Sequence, residues 1–457
     1  MLVAGTHSGA GKTTVTLGLL AALRRRGLTV QPFKCGPDFI DPTLHRLVTG
    51  RVSYNLDPRM CGPDFVRDCY ARHAAEADIA VVEGVMGLFD GGAGSSAALA
   101  RLLDLPVVLV LDARAMAESA AAIVKGFAEL DPRLRLLGVI CNRVGGGRHL
   151  DMLREAIGQH CRVELLGGLA READFVIPER HLGLYMGDEA PLSAAALERL
   201  ATEVTAAIDL DRLLALAATA APQPVPAPSF VAVAAAAPRV RLGVARDAAF
   251  CFYYEDNLAL LAAAGAELLE FSPLTDSELP SGLDGIYLGG GYPEMYAGQL
   301  ADNRAMRDTI RRWSEAGRPL YAECGGFMYL CEAISDGEGR SFPMAGIFPT
   351  TARMPADRAV LGYREVTLTA PGLLGPAGSR LRGHEFHYST IDPMPDEIER
   401  VYRLADGRAE GYTRHRHTLG SYLHLHFGAS PETAGHVVGW CRASRGETGC
   451  RREGIMA

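Results

Sequence analysis

The chain has 457 residues, with 46 Lys+Arg against 54 Asp+Glu for a formal net charge of −8, and 48% of its residues are hydrophobic. That is chain enough for two α/β cores, and its acidic field repels nucleic acid, so an anionic ligand must be met by local groups. Ten cysteines lie scattered without a C-x-x-C pair, which reads as reduced thiols of a cytoplasmic protein, and the alanine-rich runs are broken before the ~20 apolar residues of a membrane span.

Taken in order, residues 1–4 form a short apolar strand that runs into a turn holding Gly5, Gly9 and Gly11, and Lys12-Thr13-Thr14 opens a helix that reaches residue 26. Strand, glycine turn and helix N-terminus together make a phosphate cradle. Glycines let backbone N–H groups converge on an anion, Lys12 reaches a terminal phosphate and the Thr13 hydroxyl sits on Mg²⁺. The pattern G-x-x-x-x-G-K-[ST] has its first glycine where this chain has Thr6, one residue after Gly5. A nucleotide triphosphate is the expected ligand, held by Gly9, Gly11, Lys12, Thr13 and Thr14.

Residues 29–34 read as the next strand, and its carboxyl end delivers the loop CGPDFIDP, where Asp38 and Asp41 either orient Mg²⁺ or its water or serve turn chemistry. The strand at 78–82 ends at Glu83, followed by glycines, and an acid on a neighbouring strand tip completes a Mg²⁺ shell opposite the cradle threonine. Apolar strands at 105–111 and 136–141, the latter ending in Asn142-Arg143, alternate with helical runs. That alternation implies right-handed crossovers and a parallel sheet. A loop-like stretch at 168–189 precedes a helix expected over 192–216, and 217–237 is an Ala/Pro-rich linker. The expected domains are therefore 1–216, then 238–445 after the linker, with 446–457 as a C-terminal tail.

The second half restarts an α/β pattern: strands at 239–245, 267–271 and 284–288, with a helix at 256–264. The third strand ends in the loop GGGYPE, 289–294, which is flexible enough to aim N–H groups at an oxyanion. A strand at 318–322 leads to Glu323-Cys324-Gly325-Gly326, and a cysteine on a sharp strand-to-helix turn reads as a nucleophile whose thiolate the helix N-terminus favours. In LGSYLHLHF, 419–427, alternation sets Leu423 and Leu425 on one face and His424 and His426 on the other. A cysteine with a distant histidine suits attack on an amide through an acyl thioester, with Cys324 as nucleophile and His424 as base.

The stretches GTHSGAGKTT (5–14), VQPFKCGPDFIDP (30–42), NLD (55–57), VVEGVMGLFDG (81–91), NRVGGGRH (142–149), PERHLGL (178–184), GGGYPE (289–294), ECGGF (323–327), RGHEFHYS (382–389) and SYLHLHF (421–427) resemble, over nearly all of the chain, the cobyrinate or hydrogenobyrinate a,c-diamide synthase family of cobalamin biosynthesis. The resemblance implies an α/β fold of two doubly wound domains: a dethiobiotin-synthetase-like P-loop NTPase with a mostly parallel sheet, and a class I glutamine amidotransferase-like domain. The displaced first glycine is a trait of that P-loop domain. It implies a carbon–nitrogen ligase that hydrolyses glutamine at Cys324 and His424, with backbone N–H groups near Gly290 and Gly325 on the oxyanion. Ammonia then crosses to the first domain, where ATP and Mg²⁺ turn a ring carboxylate into an acyl phosphate.

By position in the family's motifs, Thr13, Asp38 and Glu83 map onto metal and nucleotide contacts, Asn142 onto the adenine, and Asp41 and Asp90 onto the substrate side. One departure stands out. Class I amidotransferases usually carry a glutamate two residues after the histidine, and that slot holds His426, which leaves the third member of the glutaminase site open. Amidation of nickel sirohydrochlorin by a sibling ligase is the alternative reading, and a partition-type P-loop switch a remote one. Arg51, Arg59 and Arg353 are candidate grips for the ring carboxylates on charge alone. The expected partners are small molecules, a corrinoid or related tetrapyrrole and glutamine, with no nucleic acid and no membrane; a homodimer stays open.

Overall fold

The computed structural model describes residues 1–171, 179–180, 183–184, 193–219, 239–354 and 359–453, with side chains to Arg445. Contacts divide the chain into two compact units, Met1–Phe230 and Val231–Ala457. The expected linker, beyond residues 217–219, lies outside the described residues, as do Pro178, His181 and Leu182 of the PERHLGL stretch.

Unit 1 is built on seven strands: β1 (Leu2–Gly5), β2 (Val30–Cys35), β3 (Tyr54–Leu56), β4 (Ile79–Gly87), β5 (Val107–Asp112), β6 (Leu136–Val144) and β7 (Glu164–Ala170). They pair in parallel in the order β3-β2-β4-β1-β5-β6-β7. Every residue of β5 is buried, as a strand covered by helices on both faces requires. Helix α1 (Lys12–Arg25) packs Leu17, Leu20 and Leu23 into this core, and α2 (Asp41–Thr49) follows β2. β8 (Glu179–Arg180) and β9 (Gly183–Leu184) form a separate antiparallel pair.

Several boundaries differ from the sequence reading. β4 runs on through Gly87, so Glu83 lies inside the strand, in register with Val3 on one side and Lys34 on the other. Local pattern hides this because the partner charge that makes a buried acid tolerable comes from another strand. β6 likewise includes Asn142 and Arg143. The helix expected over 192–216 is two helices, Ala194–Ala207 and Leu210–Thr219. Ile208 breaks it by bridging to Gly167, and Asp209 restarts it by capping the Arg212 N–H at 2.9 Å.

Unit 2 contains β10 (Val240–Ala245), β11 (Ala266–Phe271), β12 (Gly285–Leu288), β13 (Leu320–Glu323), β14 (Cys331–Ser335), β15 (Ser341–Pro343), β16 (Phe348–Arg353), β17 (Val360–Leu368), β18 (Arg380–His387), β19 (Thr390–Ile391), β20 (Arg400–Leu404), β21 (Ala409–Arg414), β22 (Thr418–Ser421) and β23 (Leu423–His426). Ten of these make one sheet, β11-β10-β12-β13-β22-β21-β20-β17-β18-β23, parallel up to β22 and antiparallel beyond it. The second unit is thus mixed. The stretch 419–427 is split at Tyr422, where the buried Glu410 carboxylate accepts the Ser421 hydroxyl at 2.6 Å and the Tyr422 N–H at 2.8 Å. The chain leaves β22 there and joins the far edge of the sheet as β23. The last helix, Glu432–Glu453, carries the chain through most of the stretch expected as a tail.

Candidate active sites

In unit 1 the cradle is held from β6. Gly9 and Gly11 have φ of 78° and 94°, and a Cβ at Gly11 would fall 1.9 Å from Asn142 Nδ2, so that position admits only glycine. Asn142 donates to the Ala10 carbonyl at 3.1 Å, and the Arg143 guanidinium donates to the Gly9 carbonyl at 2.9 Å and to Asp112 at 2.6 Å. Burial would raise the Asp112 carboxyl, yet hydrogen bonds from the Arg114 backbone and the Arg143 side chain hold it below its usual range. With carbonyls 9 and 10 occupied, the N–H groups of the turn are the side open to an anion. Lys12, buried at the start of α1, donates to the His7 carbonyl at 3.4 Å; burial, then the Lys34 charge, push it below an ordinary lysine. Thr14 is half-buried on the same turn.

Beside the cradle lies a buried ionic network. Thr13 donates its hydroxyl to Glu83 at 2.7 Å; Lys34 Nζ reaches Asp41 at 2.5 Å, Glu83 at 3.1 Å and Asp38 at 3.7 Å; His45 Nε2 meets the other Glu83 oxygen at 2.8 Å, with Ser53 on Nδ1 at 3.0 Å. Burial works against each charge. For Lys34 the charges of Asp41, Glu83 and Asp38 outweigh it and hold the ammonium well above its usual value, while Lys34, His45 and Thr13 hold Glu83 well below the carboxylate range. Asp41, pushed well up by burial and by Asp38 and Glu83, is the acid of this group most ready to carry a proton. Lys34 and His45 were not singled out from sequence, although Lys34 stands in the strand that delivers the Asp38 loop.

The donor set fits Mg²⁺, because Thr13 and Glu83 present hard oxygens side by side. Among the described residues no three or more His, Cys, Asp or Glu side chains form a metal cage, so an ion here needs oxygens from phosphate and water as well. Asp38 spends one oxygen on the Ile40 and Asp41 N–H groups at the start of α2. Asp41, expected toward the substrate, accepts a hydrogen bond from Lys34. Asp90 is exposed and accepts the Gly87 N–H at 3.1 Å. Of the candidate carboxylate grips, Arg51 is engaged with Gln31 and Glu76, Arg353 makes a fork with Asp392, and Arg59 is exposed.

In unit 2, β13 ends at Glu323 and Cys324 takes φ 46°, ψ −105°, a strained turn fixed by its N–H bond to the Ser421 carbonyl at 2.7 Å. The helix Gly325–Leu330 follows, as expected. The Gly325 N–H at its start favours the thiolate, but burial, and then the Glu294 charge, outweigh it and push the Cys324 thiol up. His424 is buried, and its ring stacks on His384, 5.0 Å between centroids at 15°. The two histidines are register partners across β18 and β23. Tyr254 bonds His384 Nδ1 at 2.8 Å, and burial with His424 and His426 nearby keeps His384 neutral.

The loop after β12 reaches His424 and the glycine that follows Cys324. A Cβ at Gly290 would lie 2.3 Å from His424 Cε1, and one at Gly325 would lie 3.0 Å from the Gly291 nitrogen. The Gly290 N–H, expected on the oxyanion, donates to the Phe252 carbonyl at 3.3 Å, so Gly291 is the loop nitrogen that faces Gly325. His426, in the slot where an acid is usual, accepts the Gly428 N–H on Nδ1 at 2.9 Å and turns Nε2 to Asp256 at 3.7 Å.

Residues 1–184 match the family model of the CobQ/CobB/MinD/ParA nucleotide binding domain, and residues 241–432 that of the CobB/CobQ-like glutamine amidotransferase domain. The chain is 49% identical over 454 residues to the cobyrinate a,c-diamide synthase of Syntrophotalea carbinolica, covering 97% of this chain and 98% of that one. The chain belongs to the cobyrinate a,c-diamide synthase family. Further members of that name, from a Synechococcus species and Priestia megaterium, are 44% and 42% identical over 94% and 100% of this chain and 96% and 99% of their own. As a member of this family the chain is a glutamine-dependent amidating ligase. The cradle with its ionic network lies in the first matched domain, and the Cys324 turn with His424 in the second. No helix among the described residues is long and apolar enough to cross a membrane.

Proposed function

We propose that the chain amidates the a and c carboxylates of cobyrinate or hydrogenobyrinate, using ATP and glutamine at two separate sites. The observation that supports this most is the presence, in one chain that matches its relatives end to end, of a Thr13–Glu83–Lys34 network beside a phosphate cradle and of a cysteine on a strand-to-helix turn. A partition-type switch has no use for the second.

At the thiol site the Cys324 S–H bond breaks and His424 takes the proton; the thiolate adds to the glutamine amide carbon, and the Gly291 and Gly325 N–H groups receive the oxyanion. The C–N bond then breaks, His424 returns the proton to the leaving ammonia, and water releases glutamate from the thioester. At the cradle a ring carboxylate oxygen attacks the terminal phosphorus of ATP and ADP leaves. A carboxylate has no leaving group that ammonia can displace, whereas an acyl phosphate loses phosphate readily. Lys12 and the turn N–H groups spread the charge of the transferring phosphoryl group; Mg²⁺, held by Thr13 with Glu83 adjacent, supplies further neutralisation when bound.

The test is mass spectrometry of the full chain with ATP, Mg²⁺ and glutamine, offered cobyrinate, hydrogenobyrinate and nickel sirohydrochlorin in parallel. Two exchanges of OH for NH₂ per ring are expected on cobyrinate or hydrogenobyrinate. Exchange confined to nickel sirohydrochlorin would make the chain a sibling ligase, and exchange on none of the three would contradict the reading.

A further inference from the structure

The dyad leaves an opening: the position two residues past His424 holds a histidine turned to Asp256, and so supplies no acid for the base. The carboxylate that faces His424 comes from the residue before the nucleophile. Glu323 Oε2 lies 3.8 Å from His424 Nδ1, and Glu323 is itself buried at the end of β13. Three donors fix it: the Tyr321 hydroxyl at 2.5 Å and the Leu425 N–H at 3.0 Å on Oε1, and the Tyr287 hydroxyl at 3.0 Å on Oε2. Burial and the Glu323 charge push both phenols well above their usual range, so they stay donors.

The Leu425 bond matters twice. Among the described residues β23 pairs only with β18, and its other edge is met by side chains: Asn257 donates to the Leu425 carbonyl at 2.7 Å and accepts the Phe427 N–H at 2.8 Å, and Glu323 accepts the Leu425 N–H. Glu323 therefore holds the backbone next to His424 while its second oxygen faces the ring. Also against that ring are the neutral His384, Phe252 and the Gly290 backbone; Glu385, further along β18, is committed to Arg364, Arg408 and His387.

Resting on the reading of Cys324 and His424 as the glutaminase dyad, we propose that Glu323 is the positioning residue that completes it. Its charge favours the tautomer with hydrogen on Nδ1, which leaves the Nε2 lone pair for the Cys324 proton. When the S–H bond breaks and that proton arrives, the imidazolium forms facing Glu323. Nucleophile and orienting acid are then adjacent residues of one strand end.

The experiment is the pH profile of glutaminase activity in the full chain for the parent, Glu323→Gln, Glu323→Asp and Cys324→Ala, with ammonia-dependent amidation as the measure of an intact fold. Gln can still accept the Leu425 N–H and the Tyr321 hydroxyl, so Glu323→Gln removes the charge and the acceptor of the Tyr287 hydroxyl while keeping the backbone bond. Glu323→Gln is expected to lower glutaminase kcat at least tenfold with KM for glutamine within twofold. The acidic limb should move to lower pH by about one unit, since an imidazolium without its acid gives up its proton sooner. Glu323→Asp should bring the limb back, and ammonia-dependent amidation should stay at the parent rate in all variants. A limb that stays in place in Glu323→Gln, with or without loss of rate, overturns the proposal while Cys324→Ala remains dead. Glutaminase surviving in Cys324→Ala overturns the dyad and the role of Glu323 with it.

Discussion

The two sites occupy equivalent places, each just past the carboxyl ends of parallel strands, and solve burial in opposite ways. Unit 1 buries full charges and cancels them against one another, with Lys34 among Asp41, Glu83 and Asp38. Unit 2 keeps its nucleophile and the histidine stacked on its base neutral, with Glu323 as the standing charge: burial raises the Cys324 thiol and lowers the neighbouring His384, and a thiolate arises only when a proton moves. The difference follows the chemistry. A site for a polyanion and a divalent cation can hold standing charges that exchange partners when ligands arrive, whereas a site for a neutral amide need charge its nucleophile only at the moment of attack.

The largest effect that tests this contrast is expected from Lys12→Ala, which should stop amidation with either nitrogen source while glutaminase activity persists. Loss of both activities together would show that the units do not work separately. Next, Lys34→Met should destabilise unit 1 by about 3–5 kcal/mol, because it leaves Glu83 and Asp41 buried without their cation. Urea unfolding reads this directly, and a change under about 0.5 kcal/mol would mean that the network is not a balanced one. Adding Asp41→Asn should recover part of the loss.

The smallest effect concerns two buried acids of unit 2. Glu385 is held below the carboxylate range by hydrogen bonds from His387, Arg408 and Arg364 that outweigh its burial, whereas burial pushes Glu410 from 4.5 up to about 7, because the groups that donate to it, the Ser421 hydroxyl and the Tyr422 and Gly411 backbone, are neutral. A carboxyl raised on folding binds its proton more tightly in the native state, so its contribution is full below 4.5 and is lost as pH rises toward 7. The loss is on the order of 3 kcal/mol. Urea midpoints of unit 2 measured from pH 5 to 8 should fall across that window, and Glu410→Gln should flatten the fall. An unchanged slope in Glu410→Gln would assign the titration elsewhere.

What the sequence made legible was whatever is encoded within a few residues. The strand, glycine turn and Lys12-Thr13 helix start could be read directly, as could the Cys324 turn and the alternation of Leu423 and Leu425 with His424 and His426. What it hid depends on distant partners. Glu83 looked like a strand-tip acid because Lys34 and His45, which make its burial bearable, lie 49 and 38 residues away. Glu323 looked like an ordinary flank of the nucleophile because the Leu425 N–H and the His424 ring approach it from a hundred residues on. The antiparallel half of the second sheet was missed for the same reason: β17, β20 and β21 carry mixed burial, and no local alternation marks them as parts of one sheet.

The central claim is that one chain divides glutamine hydrolysis and carboxylate activation between two sites. The most direct measurement is amidation by Cys324→Ala, followed by mass spectrometry with glutamine and, separately, with ammonium at high concentration. The account predicts no amidation from glutamine and near-parent amidation from ammonia. Amidation lost with both donors, in a variant that still binds ATP, would contradict it.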